Sequence, residues 1–314
     1  MNLFATVLTY TAPSANYRGE SAENRAVIQK IAKGRFEYPI ISPEAIRNAL
    51  RETMRAMGLP CNRKRLHDEE QLAVEFQEYP DAEKYADDFF MGWLVAAGKN
   101  DRAAILKEMT ERGRNTENFT FKRDSVLRTN LAVALDPYRY DSVFTQSPLD
   151  ATPKEVKGHK NTDSSQLLHR EVSCTPFQYP FALNLNDCRA KQEWTKTLLT
   201  AIGQLNNVAG NQARSYFEMA PASIVVRLTP MLVAGYDTYG FAADDSGRHT
   251  FPEVVNGILN DDYPGNEFYL GGRIVKEMSE DTVKELQGKG ATLDRNPQRL
   301  LATVSEKMFT GEGA

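Results

Sequence analysis

The order of its patterned segments constrains this chain most. Residues 3–10, LFATVLTY, are rich in β-branched and aromatic side chains and read as an opening strand. Ser42-Pro43-Glu44 is a compact helix start: a serine to accept a backbone N–H, a proline for the first helical position, and an acid for the positive dipole end. The helix it opens runs from Pro43 to about Met57 and stops at Gly58 and Pro60. Ile46, Ala49, Leu50, Thr53, Met54 and Met57 then share one face at helical spacing, so that face is core. The alternation Leu127, Thr129, Leu131, Val133, Leu135 predicts a second strand. A strand pair follows around Phe177–Leu185, then a helix over about Lys191–Leu205. A buried strand closes the set at residues 222–234, ASIVVRLTPMLVA.

Three stretches interrupt this series. Thr11–Phe36 is polar, carries Pro13, Gly19 and Gly34, and reads as a long loop. Residues 61–125 read as a polar, mostly helical insertion anchored locally by Phe89, Phe90, Trp93 and Leu94. Residues 137–175 hold the polar run SPLDATPKEVKGHKNTDSS between two strand-like arms, the pattern of a protruding hairpin. Its tip, Lys154–Lys160, has Val156 as its one apolar anchor and is expected to be mobile in a free protomer. With the interruptions set aside, the order is βαββαβ, an α+β, ferredoxin-like skeleton also used by RNA-recognition-motif domains. The aromatic RNA-reading octapeptide of those domains is missing, so base stacking on the sheet face is not expected.

Charge is unevenly spread. The 38 basic and 42 acidic side chains give a net charge of −4, which argues against uniform wrapping in nucleic acid. Residues 1–60 nevertheless carry eight basic groups against five acidic, and 61–90 carry four against nine. Residues 99–128 turn basic again, and Asp237–Asp262 hold six acids against Arg248 alone. Separate basic and acidic faces suit a chain that holds a polyanion on one side and a protein partner on the other. Solvated charges sorted by chance would look the same. The longest apolar run, Met91–Ala97, falls far short of the roughly 20 residues a bilayer needs, and the amino-terminal sequence reads as a cytosolic start. Three cysteines and four histidines, with no CxxC or HExxH, give no zinc site and suggest reduced thiols.

Three groups of residues are candidates for binding. Arg47, Arg51 and Arg55 lie four apart on the early helix, opposite its core face and close to its free N–H groups, a ready phosphate site. The strand-exit loop Ser14–Glu20 offers Asn16, Arg18 and Gly19 to sugar and phosphate oxygens. The turn Val208–Ser215 offers Gly210 for close main-chain approach, and Arg214 for charge. The GK[ST] of a Walker loop is missing from it, as are GxSxG and a strand-opening GxGxxG elsewhere. Glu20, Glu23, Glu37, Asp136 and Asp141 show no pairing that sequence establishes as an acid–base dyad.

ANYRGESAEN (15–24), YPIISPEAIRNALRE (38–52), TPFQYPFALNL (175–185) and AGNQARS (209–215), in that order, resemble the DevR family of CRISPR proteins. These are the crRNA-binding backbone subunits of type I Cascade complexes, here of a type I-B-like kind within the RAMP superfamily. The resemblance implies one hand-shaped unit over 1–314: an RRM-like palm, helical fingers at about 61–125 and a β-hairpin thumb at about 138–175. It implies that copies stack along one guide RNA, each thumb displacing a nucleotide, and that the guide pairs with a target DNA strand among other Cascade subunits. It carries the palm contacts onto Asn16, Arg18, Ser42, Arg47 and Arg51, and the glycine loop onto Gly210, Asn211 and Arg214. Many relatives have a lysine where this chain has Asn211. Lys157 and Lys160 on the thumb are expected to meet phosphates, and Phe144 with Val143 to wedge against bases. Related type III subunits place a catalytic aspartate in the first palm loop, where this chain has only Glu20 and Glu23. The expectation is therefore a noncatalytic subunit without cofactor or metal, with a metal-dependent endoribonuclease or a DNA-binding autoregulator as the alternatives.

Overall fold

The computed structural model describes residues 1–22, 25–65, 74–114, 116–117, 119–146, 167–206, 208 and 216–309. In chain order, β1 (Asn2–Thr9), β2 (Ala12–Ser14), β3 (Tyr17–Ala22), β4 (Arg25–Ile28), β5 (Lys30–Lys33) and β6 (Phe36–Ile41) lead into α1 (Pro43–Ala56). Next come β7 (Arg63–Arg65), β8 (Val74–Phe76), α2 (Ala86–Met91), β9 (Trp93–Leu94), α3 (Lys99–Glu111) and β10 (Lys122–Arg123). The middle of the chain gives β11 (Arg128–Thr129), β12 (Ala132–Ala134), β13 (Ser142–Gln146), β14 (Leu167–Glu171), β15 (Ser173–Thr175) and β16 (Phe177–Asn184). After α4 (Leu185–Cys188), α5 (Gln192–Gly203) and β17 (Pro221–Thr229) come β18 (Ala242–Ala243), β19 (His249–Thr250) and α6 (Pro252–Leu259). The chain ends through β20 (Phe268–Gly272), α7 (Arg273–Glu277), α8 (Glu280–Gly288), β21 (Thr292–Asp294) and α9 (Pro297–Lys307).

This is a mixed α/β fold built on a large sheet of order β21-β20-β17-β1-β16-β12-β6-β5, with β11 also pairing β16. β1 runs antiparallel to both β16 and β17, and β12 antiparallel to β16. Side chains alternate across a strand, so Leu3, Ala5 and Val7 pack on one face of β1 against residues of α1, α5 and α9, while Leu8 joins α6, α7 and α8 on the other. β17 is buried along its whole length for the same reason. Its near-continuous apolar run reflects two covered faces rather than one. No described helix is long and apolar enough to cross a membrane.

Several boundaries differ from the sequence reading. Thr11–Phe36, expected as a loop, forms β2 to β5. The hairpin arms β13 and β14 are present, but they continue into a four-stranded sheet, β13-β14-β4-β3, in which β14 pairs β4 in parallel. The described part of residues 61–125 is not mostly helical: short strand pairs accompany α2 and α3. Phe89 and Phe90 do not anchor the insertion locally but enter the main core beside α1 and α5. The strand expected at 127–135 is broken into β11 and β12, and the strand expected at 222–234 ends at Thr229. The apolar Met231, Leu232 and Val233 beyond it are exposed. The strand pair expected around Phe177–Leu185 is the single strand β16.

Candidate nucleic-acid interface

The Ser42 hydroxyl caps α1, accepting the Ala45 N–H at 3.2 Å, with Pro43 in the first turn. That uses one lone pair of Ser42 for folding and fixes the direction in which the helix presents its arginines. The expected solvent-facing row of Arg47, Arg51 and Arg55 is not what forms. This side of α1 is covered by the 61–125 segment, and the three side chains meet three different environments.

Arg51 is buried, 4% exposed. Its Nε lies 3.1 Å from the fully buried Asp87, Nη1 donates to Asn48 at 2.7 Å, and Nη2 reaches the Met91 sulfur at 3.4 Å. Asp87 also accepts the backbone N–H groups of Asn62 and Arg63, at 2.7 and 3.0 Å. Beside it, Asp88 accepts the Asn62 amide at 2.8 Å, the Asp81 N–H at 3.0 Å and Arg63 Nη2 at 3.3 Å. Burial pushes the Asp88 carboxyl above its ordinary value, and neighbouring Asp87 adds to the push. Arg51 is thus a positioning residue that ties the insertion to α1, and its expected place as a surface contact is corrected by its burial. Arg55 is half-buried, paired with Glu52 at 2.7 Å and bonded to the Arg63 carbonyl.

Arg47 is different. It is half-buried on the wall of a cavity of about 340 Å³ whose lining includes Arg51, Arg63, Phe76, Trp93 and Leu94. Its Nε is buried and, among the described residues, makes no hydrogen bond; the same holds for Nε of Arg63 and of Arg51, but the latter is ion-paired with Asp87. Burial lowers the pKa of the Arg47 guanidinium; Glu44 opposes this, while the positive Arg63 and Arg128 add to it. Buried donors without a partner beside clustered positive charge favour an anion with several acceptor oxygens. Arg63 is held by Asp88, the Gly92 carbonyl and the Phe76 ring, 4.7 Å from its guanidinium carbon. Arg128 is exposed on β11. Neither Arg63 nor Arg128 stands out in the sequence, because their meeting with Arg47 depends on how the insertion folds back.

The remaining candidates separate clearly. Asn16 is buried, and its amide donates to the Ile40 carbonyl at 3.1 Å, so its side chain shapes the loop rather than offering a surface contact. Arg18 lies in β3 and Phe144 in β13, the two outer strands of one small sheet. Phe144 is 66% exposed, with its ring 4.3 Å from that of His169. At the base of this sheet Glu171 accepts the Ile28 N–H at 3.3 Å and pairs Lys30 at 3.6 Å. Lys157, Lys160, Gly210, Asn211 and Arg214 lie outside the described residues, as does Glu23. Among the described residues no group of three or more His, Cys, Asp or Glu is placed to hold a metal ion.

No family model matches the chain. Among curated proteins, the chain is 29% identical over 298 residues to the CRISPR-associated protein Cas7/Cst2/DevR of Myxococcus xanthus (strain DK1622), covering 92% of each. Among solved structures, it superposes on a chain of a pre-nicking CRISPR RNA-guided surveillance complex with a TM-score of 0.58 at 14% identity, covering 98% of this chain and 100% of that one. A chain of a second CRISPR RNA-guided surveillance complex gives 0.54 at 12% identity over the same shares. At these identities the structural likeness is one of fold, while the curated relative extends the sequence resemblance over nearly the whole chain.

Proposed function

We propose, from the likeness to Cas7/Cst2/DevR, that this chain is a noncatalytic backbone subunit of a type I CRISPR surveillance complex and holds guide RNA by its phosphates. The observation that carries the reading is the Arg47 cavity: buried unpartnered guanidinium donors with Arg63 and Arg128 close by, on a fold shared with chains of such complexes. Phosphate contacts position a strand without reading its bases, which leaves sequence choice to pairing with the target DNA strand. The antiparallel order β17-β1-β16-β12 with α1 and α5 supports a ferredoxin-like palm. On this reading, residues 61–125 are the fingers and 138–175 the thumb, all in one unit over 1–314.

Arg47, Arg63 and Arg128 would meet phosphate, Arg51 would hold the fingers in register, and Phe144 with Arg18 would present the thumb sheet to the strand. Lys157, Lys160, Gly210, Asn211 and Arg214 enter through the family resemblance. Further copies of the chain would continue the groove along the RNA, alongside other subunits of the complex. The test is to purify the chain from its own host and extract what accompanies it. A uniform population of guide-length RNA is the expected result. Preparations free of RNA, or carrying double-stranded DNA of one promoter, would overturn the reading in favour of a regulator. Regular cuts in complementary RNA with Mg²⁺ or Mn²⁺ would overturn the noncatalytic assignment.

A further inference from the structure

The finger segment holds a second cavity, of about 660 Å³, lined among others by Pro80, Trp93, Met109, Arg114, Phe119 and Arg123. Trp93 lines this cavity and the Arg47 cavity alike, so one indole forms part of both walls. Its ring lies nearly parallel to that of Phe119, 13° between planes and 6.5 Å between centroids. The Arg123 guanidinium sits 5.7 Å from the Trp93 ring, and that of Arg102 sits 5.0 Å from Phe121, which meets Phe119 edge-on. Aromatic and cationic groups therefore alternate along this part of the fingers.

The arrangement is held rigidly. The Trp93 indole N–H donates to the Thr120 carbonyl at 2.7 Å, the register of β9 and β10 sets Arg123 opposite Trp93, and Arg123 Nη1 donates to the Phe89 carbonyl at 2.6 Å. The acids on the rim are engaged: Asp81 accepts the N–H groups of Glu83 and Lys84, and Glu83 pairs Lys191 at 3.0 Å. Leu94, beside Trp93, is 70% exposed.

We infer that Trp93 and Phe119 form a base-stacking platform for an unpaired nucleotide of a single strand whose phosphate occupies the Arg47 cavity. Every base has a π-face, so such a platform tolerates any sequence, and flanking guanidinium groups add cation–π attraction. An aromatic surface sharing a wall with a basic cavity matches the alternation of base and phosphate along a strand. This inference rests on the guide-binding reading, and two sources supply the same chemistry, guide RNA and displaced DNA.

The chain has two tryptophans, so the full-length Trp194→Phe protein reports on Trp93 alone. It is titrated with oligouridylate and with oligothymidylate while indole fluorescence is followed. Binding is expected to quench Trp93. Quenching by RNA alone assigns the platform to the guide, by DNA alone to the displaced strand, and by both to any single strand. Trp93→Ala is expected to weaken binding about 5- to 150-fold, the equivalent of the usual loss per stacked base, with the salt dependence unchanged. Trp93→Phe restores most of it. Strand binding that leaves Trp93 fluorescence unchanged overturns the platform even if Trp93→Ala fails to fold. Wild-type affinity in folded Trp93→Ala overturns it as well. Failure of every strand to bind the wild-type chain removes the guide-binding reading and the platform with it.

Discussion

Arg47 and Arg51 stand one helical turn apart on α1 and line one cavity, yet only Arg51 is paired with a carboxylate. Arg51 closes a buried network with Asp87, Asp88, Asn62 and Arg63, in which each carboxylate is held by several donors. Arg47 lines the cavity without an ion-pair contact to a carboxylate among the described residues, with Glu44 acting on it only at longer range and two further arginines opposing that. The inner region spends its charge on holding the fingers to the palm. The outer one keeps charge free for a ligand. A row of like residues at helical spacing therefore says little about role until the partners on the facing segment are known.

The sharpest way to break this contrast is to remove one partner of the buried pair. Asp87→Ala leaves Arg51 buried without its counter-charge and removes the acceptor for two backbone N–H groups, so it is expected to cost about 3–5 kcal/mol in urea unfolding. Arg51→Met with Asp87→Leu is expected to cost less than the two single changes added, because no charge is then left stranded. Equal, additive losses of a few tenths would show that the network does not hold the fingers.

Gly92 links the two regions and ranks next. Its φ of +62° lies in the left-handed region, a Cβ there would overlap the Arg123 carbonyl, and its own carbonyl accepts from Arg63. Gly92→Ala is expected to cost about 1–3 kcal/mol and, by shifting Arg63 and Trp93, to weaken strand binding too. Stability loss without any binding loss would uncouple the two cavities from this turn.

The sequence made some of this legible and hid the rest for definable reasons. α1 could be placed because its signals are local: Ser42, Pro43 and Glu44 at one end, Gly58 at the other, and an apolar period between. β1 and β17 could be recognised by composition. β3 and β4 could not, since β4 is four residues long and is supported by pairing with β14, more than 140 residues away, while β3 is largely polar. Arg51 looked exposed because its partner Asp87 is remote in sequence, in a segment whose net charge suggested a solvated surface. Phe89 and Phe90 looked like a local anchor for a related reason: only the fold-back of α2 brings them to the main core. The short pairs β7–β8 and β9–β10, two or three residues each, carry too little pattern to be read at all.

A smaller effect separates the two regions by pH. The folded Asp88 carboxyl titrates above its unfolded value, chiefly through burial. A raised acid favours the protonated form in the fold, so its contribution is fully present below the unfolded pKa and is lost as pH rises through the folded one. Stability should therefore carry a downward component with rising pH just above the ordinary carboxylate range, and Asp88→Asn should remove it. Unfolding midpoints measured across that range check the sign; an upward component from Asp88 would mean that its donors outweigh its burial.

The smallest effect on stability is expected at Arg47, where the contrast is most informative. Its Nε forms no hydrogen bond among the described residues, and the favourable charge of Glu44 is offset by Arg63 and Arg128, so truncation breaks no ion-pair contact and leaves Glu44 at the positive end of the α1 dipole. Arg47→Ala should change the unfolding free energy by no more than about 0.5 kcal/mol, as for substitutions away from packed or paired features. Its effect should fall on binding. Losing one phosphate contact weakens every single strand about equally and lowers the slope of log affinity against log salt by about 0.7. Stability and salt slope measured on the same protein then separate the outer region from the inner. A large stability loss would place Arg47 in the buried network with Arg51, and a loss confined to particular sequences would make it a reader of bases.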